Sequence, residues 1–220
     1  MKIGKKCSWD YFWYALYAFA GLGLELLLAG FVEPLWVGQK GFSEYTTVER
    51  IVHWLLTSLC WGIMILLLAR FSKTKLQFDL ICSQIPRRTS ILVAAVLVIV
   101  CVTLNAMDWG TVKIVGEFTK KGPILFVFQY IYYLFEVGLV FLIVAFGQQF
   151  AESLLGRESR IPFGGILLCC TWGAIHIMSQ GSLYTGLGVM VFALLFGAIY
   201  LLLSRNTKYL YLAMALAFMI

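Results

Sequence analysis

The chain has 220 residues, of which 61% are hydrophobic and 13% charged, with a mean hydropathy of +0.89. Soluble domains run nearer half apolar and about a quarter charged, so composition excludes an ordinary water-soluble enzyme. A formal charge of +6 would suggest nucleic acid in a soluble protein. In a membrane protein the basic residues sit in short loops and set orientation, so no nucleic-acid partner is expected and the lipid bilayer is the first partner.

In chain order, six segments reach or approach the roughly 20 residues that cross a hydrocarbon core: Tyr11–Val32, Ile51–Ala69, Ser90–Ala106, Ile124–Gly147, Ile161–Met178 and Leu183–Leu203. Each is bounded by charge, Pro or Gly clusters. A seventh apolar stretch, Tyr209–Ile220, has 12 residues and covers about 18 Å, half a bilayer. Two placements stay open for it: a half-span inside the bundle, or an interfacial helix. Continuous apolar runs of this length mean helices rather than barrel strands. The expected architecture is all-α, a polytopic transmembrane bundle of six full spans plus a short C-terminal helix, forming one domain over residues 1–220.

The basic start (Lys2, Lys5, Lys6) precedes an apolar run longer than a signal-peptide core and reads as a retained anchor. With that end inside, Lys and Arg from the tail, from Arg70 to Arg88, and at Arg157, Arg160, Arg205 and Lys208 fall on the inner side, leaving Lys40, Arg50, Lys113, Lys120 and Lys121 outside. This bias predicts a cytoplasmic N-terminus. The loop Lys73–Arg88 mixes basic residues with Leu76, Phe78, Leu80 and Ile81, which suits either a segment lying on an anionic inner leaflet or a plain loop. The six cysteines (Cys7, Cys60, Cys82, Cys101, Cys169, Cys170) have no CxxC spacing, against a disulfide framework or zinc knuckle.

Ionisable side chains are costly in hydrocarbon, so those deep within spans are the functional candidates. Glu25 lies in GLGLELLLAG, where Gly21 and Gly23 allow a neighbouring helix close enough to supply a donor. His53 opens the second span. Gln129, Tyr133 and Glu136 are spaced four and three residues apart, which stacks them on one helix face; this polar stripe either lines a cavity or staples helices together. Trp172, His176 and Gln180 follow at intervals of four residues.

The stretch WGAIHIMSQG and the apolar residues after it resemble the CPBP or Abi family, which includes CAAX prenyl endopeptidases and bacteriocin-processing relatives. The likeness runs from about Phe135 to Ile220. Trp172 and His176 match that family's Phe-x-x-x-His motif with Trp for Phe, and Glu136 stands at the first glutamate of Glu-Glu-x-x-x-Arg. Val137 and Phe141 replace the second glutamate and the arginine, and Met214 and Phe218 fall where the last motif would place its ligands. The resemblance therefore implies a divergent, non-catalytic member in the bacterial cytoplasmic membrane, acting on a membrane protein or peptide partner as a regulator or immunity-type protein.

Two other readings stay open. One is an intramembrane peptidase using Glu136 and His176, with His53 or Glu25 as an unorthodox third group. A zinc site needs three protein ligands with an open position, and the chain has two histidines, so no cofactor is expected and zinc at His53 and His176 is the candidate metal. The other is a small transporter or channel component. Substrate, partner and oligomeric state are not legible.

Overall fold

A computed structural model describes residues 8–220, apart from the side chains of Ser179 and Gln180. The basic tail, Cys7 and the Gln180 side chain, all named above, lie outside what is described. Among the described residues the chain is helical with no strand.

The first helix, α1 (Ser8–Leu22), buries Tyr11, Ala15, Ala18 and Gly21 along one stripe. Small residues at helical spacing let it lie close against its neighbours. Past Leu22 the chain stays helical as α2 (Leu24–Leu27), a π turn (Leu28–Val32) and α3 (Pro34–Val37). Helix α4 (Thr47–Lys75) starts at a capping box: Thr46 Oγ1 accepts from the Glu49 amide at 3.3 Å, and Glu49 Oε2 accepts from the Thr46 amide at 2.7 Å. It ends with Lys73 and Lys75 beside its final carbonyls, where cations complement the helix dipole. A non-helical segment leads to α5 (Arg88–Trp109), and the turn at Gly110 leads to α6 (Lys113–Leu155).

Helix α6 is the central pillar. It breaks once, at Gly122 (φ 74°) before Pro123, and every residue from Val137 to Gln148 is buried. A helix apolar on all sides belongs inside a bundle, and α1 and α4 pack directly on it. The chain then returns through α7 (Phe163–Leu168), a second π turn (Cys169–Gly173) and α8 (Ala174–Gln180), runs back as α9 (Leu183–Leu202), and finishes in α10 (Thr207–Met219). The crossing of α6, α7 and α9 rests on glycine: a methyl group on Gly164 would meet the Val144 carbonyl, and one on Gly165 would meet the Gly197 backbone.

Five helical stretches are long and apolar enough to cross a membrane: Ser8–Val37, Thr47–Lys75, Arg88–Trp109, Lys113–Leu155 and Leu183–Leu202. The segment expected as the fifth of six spans is a shorter apolar helix, Phe163–Met178, which begins only after Pro162 and carries the second π turn. The terminal helix is a short apolar helix, Thr207–Met219. It packs on α5 and α6, burying Leu210, Met214 and Ala217, and its last carbonyls are held by Asn105, Lys113 and Tyr130. Large apolar side chains such as Leu26, Leu35, Leu66 and Leu92 stand exposed on the surface, an arrangement suited to lipid rather than water.

Candidate functional site

Glu25 and Glu33 belong to one helical stretch and lie eight residues apart. In an uninterrupted α-helix, at about 100° per residue, their side chains would diverge by about 80°. The π turn removes that divergence. Its closing bond runs from the Glu33 amide to the Leu28 carbonyl at 2.8 Å, and the extra residue it accommodates turns Glu33 back onto the Glu25 face.

Between the two carboxylates sits His53 of α4. Its Nδ1 is 2.6 Å from Glu33 Oε1 and its Nε2 is 3.2 Å from Glu25 Oε1. Each carboxylate takes a phenol on its other oxygen: Tyr45 donates to Glu33 Oε2 at 2.7 Å, and Tyr132 of α6 donates to Glu25 Oε2 at 2.9 Å. Both ring contacts are hydrogen bonds when the imidazole and the two acids share two protons between them. The trio then carries a net charge of −1 whichever acid or ring holds them. His53 and Glu33 are 1% exposed, whereas the Glu25 side chain is 32% exposed. Outside the helices, burial pushes the Tyr45 phenol up to about 12, and its bond to the Glu33 carboxylate adds to the effect.

The stripe on α6 divides between two neighbours. Gln129 donates to the Tyr133 hydroxyl at 2.6 Å, and Tyr133 in turn donates to Glu117 Oε1 at 2.8 Å. Lys121 donates to Gln129 Oε1 at 2.5 Å and pairs with Glu117 at 3.4 Å. Lys113 lies over the rings of Tyr133 and Phe218 and donates to the Phe218 carbonyl at 2.8 Å. Glu136 instead accepts from the Trp172 indole at 3.3 Å. Trp172 also holds His176, whose Nδ1 lies 2.7 Å from the Trp172 carbonyl. The indole is stacked near Phe196 and tilted against Phe218.

The sequence-derived candidates thus fall into three adjoining groups: Glu25 with His53, Gln129 with Tyr133, and Glu136 with Trp172 and His176. Ring contacts link the groups: Tyr132 lies 5.8 Å from Tyr133, and Phe218 meets both Tyr133 and Trp172. No hydrogen bond or ring contact joins His53 to His176 among the described residues, and no three His, Cys, Asp or Glu side chains there gather as a metal-ligand set.

Sequence reasoning missed Glu33, Tyr45 and Glu117. Glu33 precedes Pro34 and reads as a span boundary, and only the π turn brings it inward. It also missed the buried Glu152 and its ion pair with the half-buried Arg205 at the opposite end. There Glu152 accepts from Arg205 at 2.7 and 2.9 Å, from Gln148 at 2.8 Å and from the Ser159 amide at 3.0 Å. The spacing of Gln148 and Glu152, four apart at the end of an apolar run, is the signal that was available.

No family model, curated protein or solved structure matches the chain.

Proposed function

We propose that this protein resides in the bacterial cytoplasmic membrane with its N-terminus in the cytoplasm, crosses it with six spans and the short α10, and works by binding a membrane protein or peptide partner. In this reading it is a divergent relative of the CPBP bundle, and the acids and imidazoles of its interior serve as a hydrogen-bonded framework. The observation that carries the proposal is where those groups point. Peptide hydrolysis needs a base or metal centred on one water. Here Glu136 and His176 each bind Trp172 rather than each other, and both nitrogens of His53 are committed to carboxylates.

One observation favours the peptidase as a second reading. Tyr132 joins Glu25 on the first helical stretch to the middle of α6, four residues before Glu136 on the same helix. A carboxylate on each of two facing helices is the kind of pair that general acid–base catalysis uses.

Photo-crosslinking in native membranes from the exposed positions Phe31 and Leu35 tests both. A discrete crosslinked partner that stays intact and persists in Glu136→Gln and His176→Ala supports the binding role. Cleavage of that partner, or of a prenylated C-terminal peptide, that is lost in Glu136→Gln overturns it in favour of the peptidase.

A further inference from the structure

At the end of the bundle opposite Glu33, the segment after α4 is fixed to the start of α10 by its backbone. Thr207 N donates to the Cys82 carbonyl at 2.9 Å, Cys82 N donates to Thr207 Oγ1 at 2.9 Å, Thr207 Oγ1 donates to the Leu80 carbonyl at 2.6 Å, and Asn206 Nδ2 donates to the Gln84 carbonyl at 2.9 Å. A loop free to collapse would bury its isoleucines. This one holds Ile81 and Ile85 outward, 75% and 81% exposed. Between it and α10 lies a groove of about 450 Å³ lined by Ile81, Ile85, Asn206, Lys208, Tyr209 and Leu212.

Lys208 is the charged residue that lines this groove, and Arg87 and Arg88 follow Ile85 by two and three residues. Lys75, Arg87, Arg88 and Lys208 are exposed, and among the described residues none has a side-chain hydrogen bond or ion pair. The acid nearest in sequence to the groove, Asp79, is taken by Lys73 at 2.8 Å, and that ammonium holds its carboxyl below the usual range. Apolar side chains pinned outward beside uncommitted cations match a phospholipid in both of its parts: acyl chain and phosphate.

We propose that this groove is a binding site for an anionic phospholipid of the adjoining leaflet. One acyl chain lies along Ile81, Ile85 and Leu212, and the headgroup phosphate meets Lys208, with Arg87 and Arg88 supplying the surrounding positive field. The rigid backbone pairing makes the site preformed, so binding orders little of the protein.

The test uses the purified full chain in neutral detergent, with native mass spectrometry and thermal unfolding read after adding dioleoylphosphatidylglycerol, dioleoylphosphatidylcholine or glycerol 3-phosphate. The expected result is retention of phosphatidylglycerol in preference to phosphatidylcholine and a higher unfolding temperature with the former. In Lys208→Gln that preference falls about fivefold, the effect of one basic residue at an anionic surface. Lys120→Gln, at the other end of the bundle, keeps it. Ile85→Ser weakens retention of phosphatidylglycerol while leaving the unfolding temperature without lipid unchanged. Equal retention of the two lipids, a preference unaltered in Lys208→Gln, an equal loss in Lys120→Gln, or stabilisation by glycerol 3-phosphate as large as by the lipid would each overturn the proposal.

Discussion

His53 and Glu33, 20 residues apart in sequence on two successive helical stretches, meet at 2.6 Å with both side chains 99% removed from solvent. A buried pair of this kind is costly to break from one side, because the remaining charge is left without its partner. Replacing His53 with Leu strands two carboxylates and is expected to destabilise the protein by about 3–5 kcal/mol. The double variant His53→Leu/Glu33→Met, which removes the stranded charge at that position, recovers part of the loss. Thermal or denaturant unfolding in detergent reads both, and a double variant no better than the single would show that the charge is not the source.

Tyr45 contributes a hydrogen bond to the same carboxylate, so Tyr45→Phe should cost about 1.5–3 kcal/mol at neutral pH. The pH dependence follows from the direction of its shift. The folded state holds the phenolic proton more tightly, with a value near 12 against an ordinary 10.0. That stabilisation is complete below about pH 10 and is lost as pH rises through about 12. The stability gap between wild type and Tyr45→Phe therefore narrows at alkaline pH; a gap constant from pH 8 to 11.5 would contradict the assignment.

At the other end, Arg205 neutralises the buried Glu152 and also reaches the exposed Glu158 at 3.1 Å. Arg205→Met should cost about 3 kcal/mol by leaving Glu152 uncompensated, whereas Glu158→Ala should cost under about 1 kcal/mol. Arg205 and its neighbour Ser204 both occupy the left-handed region, at φ 59° and 53°. Ser204→Gly relieves one of these positions and should stabilise the chain by about 1 kcal/mol. Comparing unfolding midpoints of the three variants separates charge from backbone conformation.

Glycine positions give a sharp contrast. Gly164→Ala drives a methyl group into the Val144 carbonyl and should cost about 3 kcal/mol or more, since backbone cannot yield as a side chain does. Gly188, also helical, has open space where its methyl would go, so Gly188→Ala should stabilise by about 0.5–1 kcal/mol. Expression and unfolding temperature in detergent decide, and equal tolerance of both would refute the close α6–α7 crossing.

Lys113→Met removes the ammonium that caps the Phe218 carbonyl. Amide exchange over the last turn of α10 should accelerate by about tenfold, the effect of one lost charge-assisted bond, with the N-terminal turn of α10 unchanged because Asn206 caps it independently.

The long helices were legible because lipid demands continuous apolar runs, and a partner donor for Glu25 was legible from the glycines beside it. The identity of that donor was not. Tyr132 and His53 reach Glu25 through tertiary packing, which no local spacing encodes. The stripe Gln129, Tyr133, Glu136 was correctly grouped on one face, yet its members answer to different neighbours because Glu117 and Trp172 approach that face at different heights. Residues Ile161–Met178 were expected as a full span; the helix there, Phe163–Met178, starts only after Pro162 and is shorter than the other long apolar helices.

The widened turn at Leu28–Val32 reverses the usual ranking of mutations. Excising Gly30, which has no neighbour within 4 Å of its missing methyl, would convert that turn to ordinary α geometry and leave the two acids seven residues apart, about 20° from alignment. Shortening the chain there preserves the handshake with the imidazole, while a deletion two turns earlier would swing both acids away from it together.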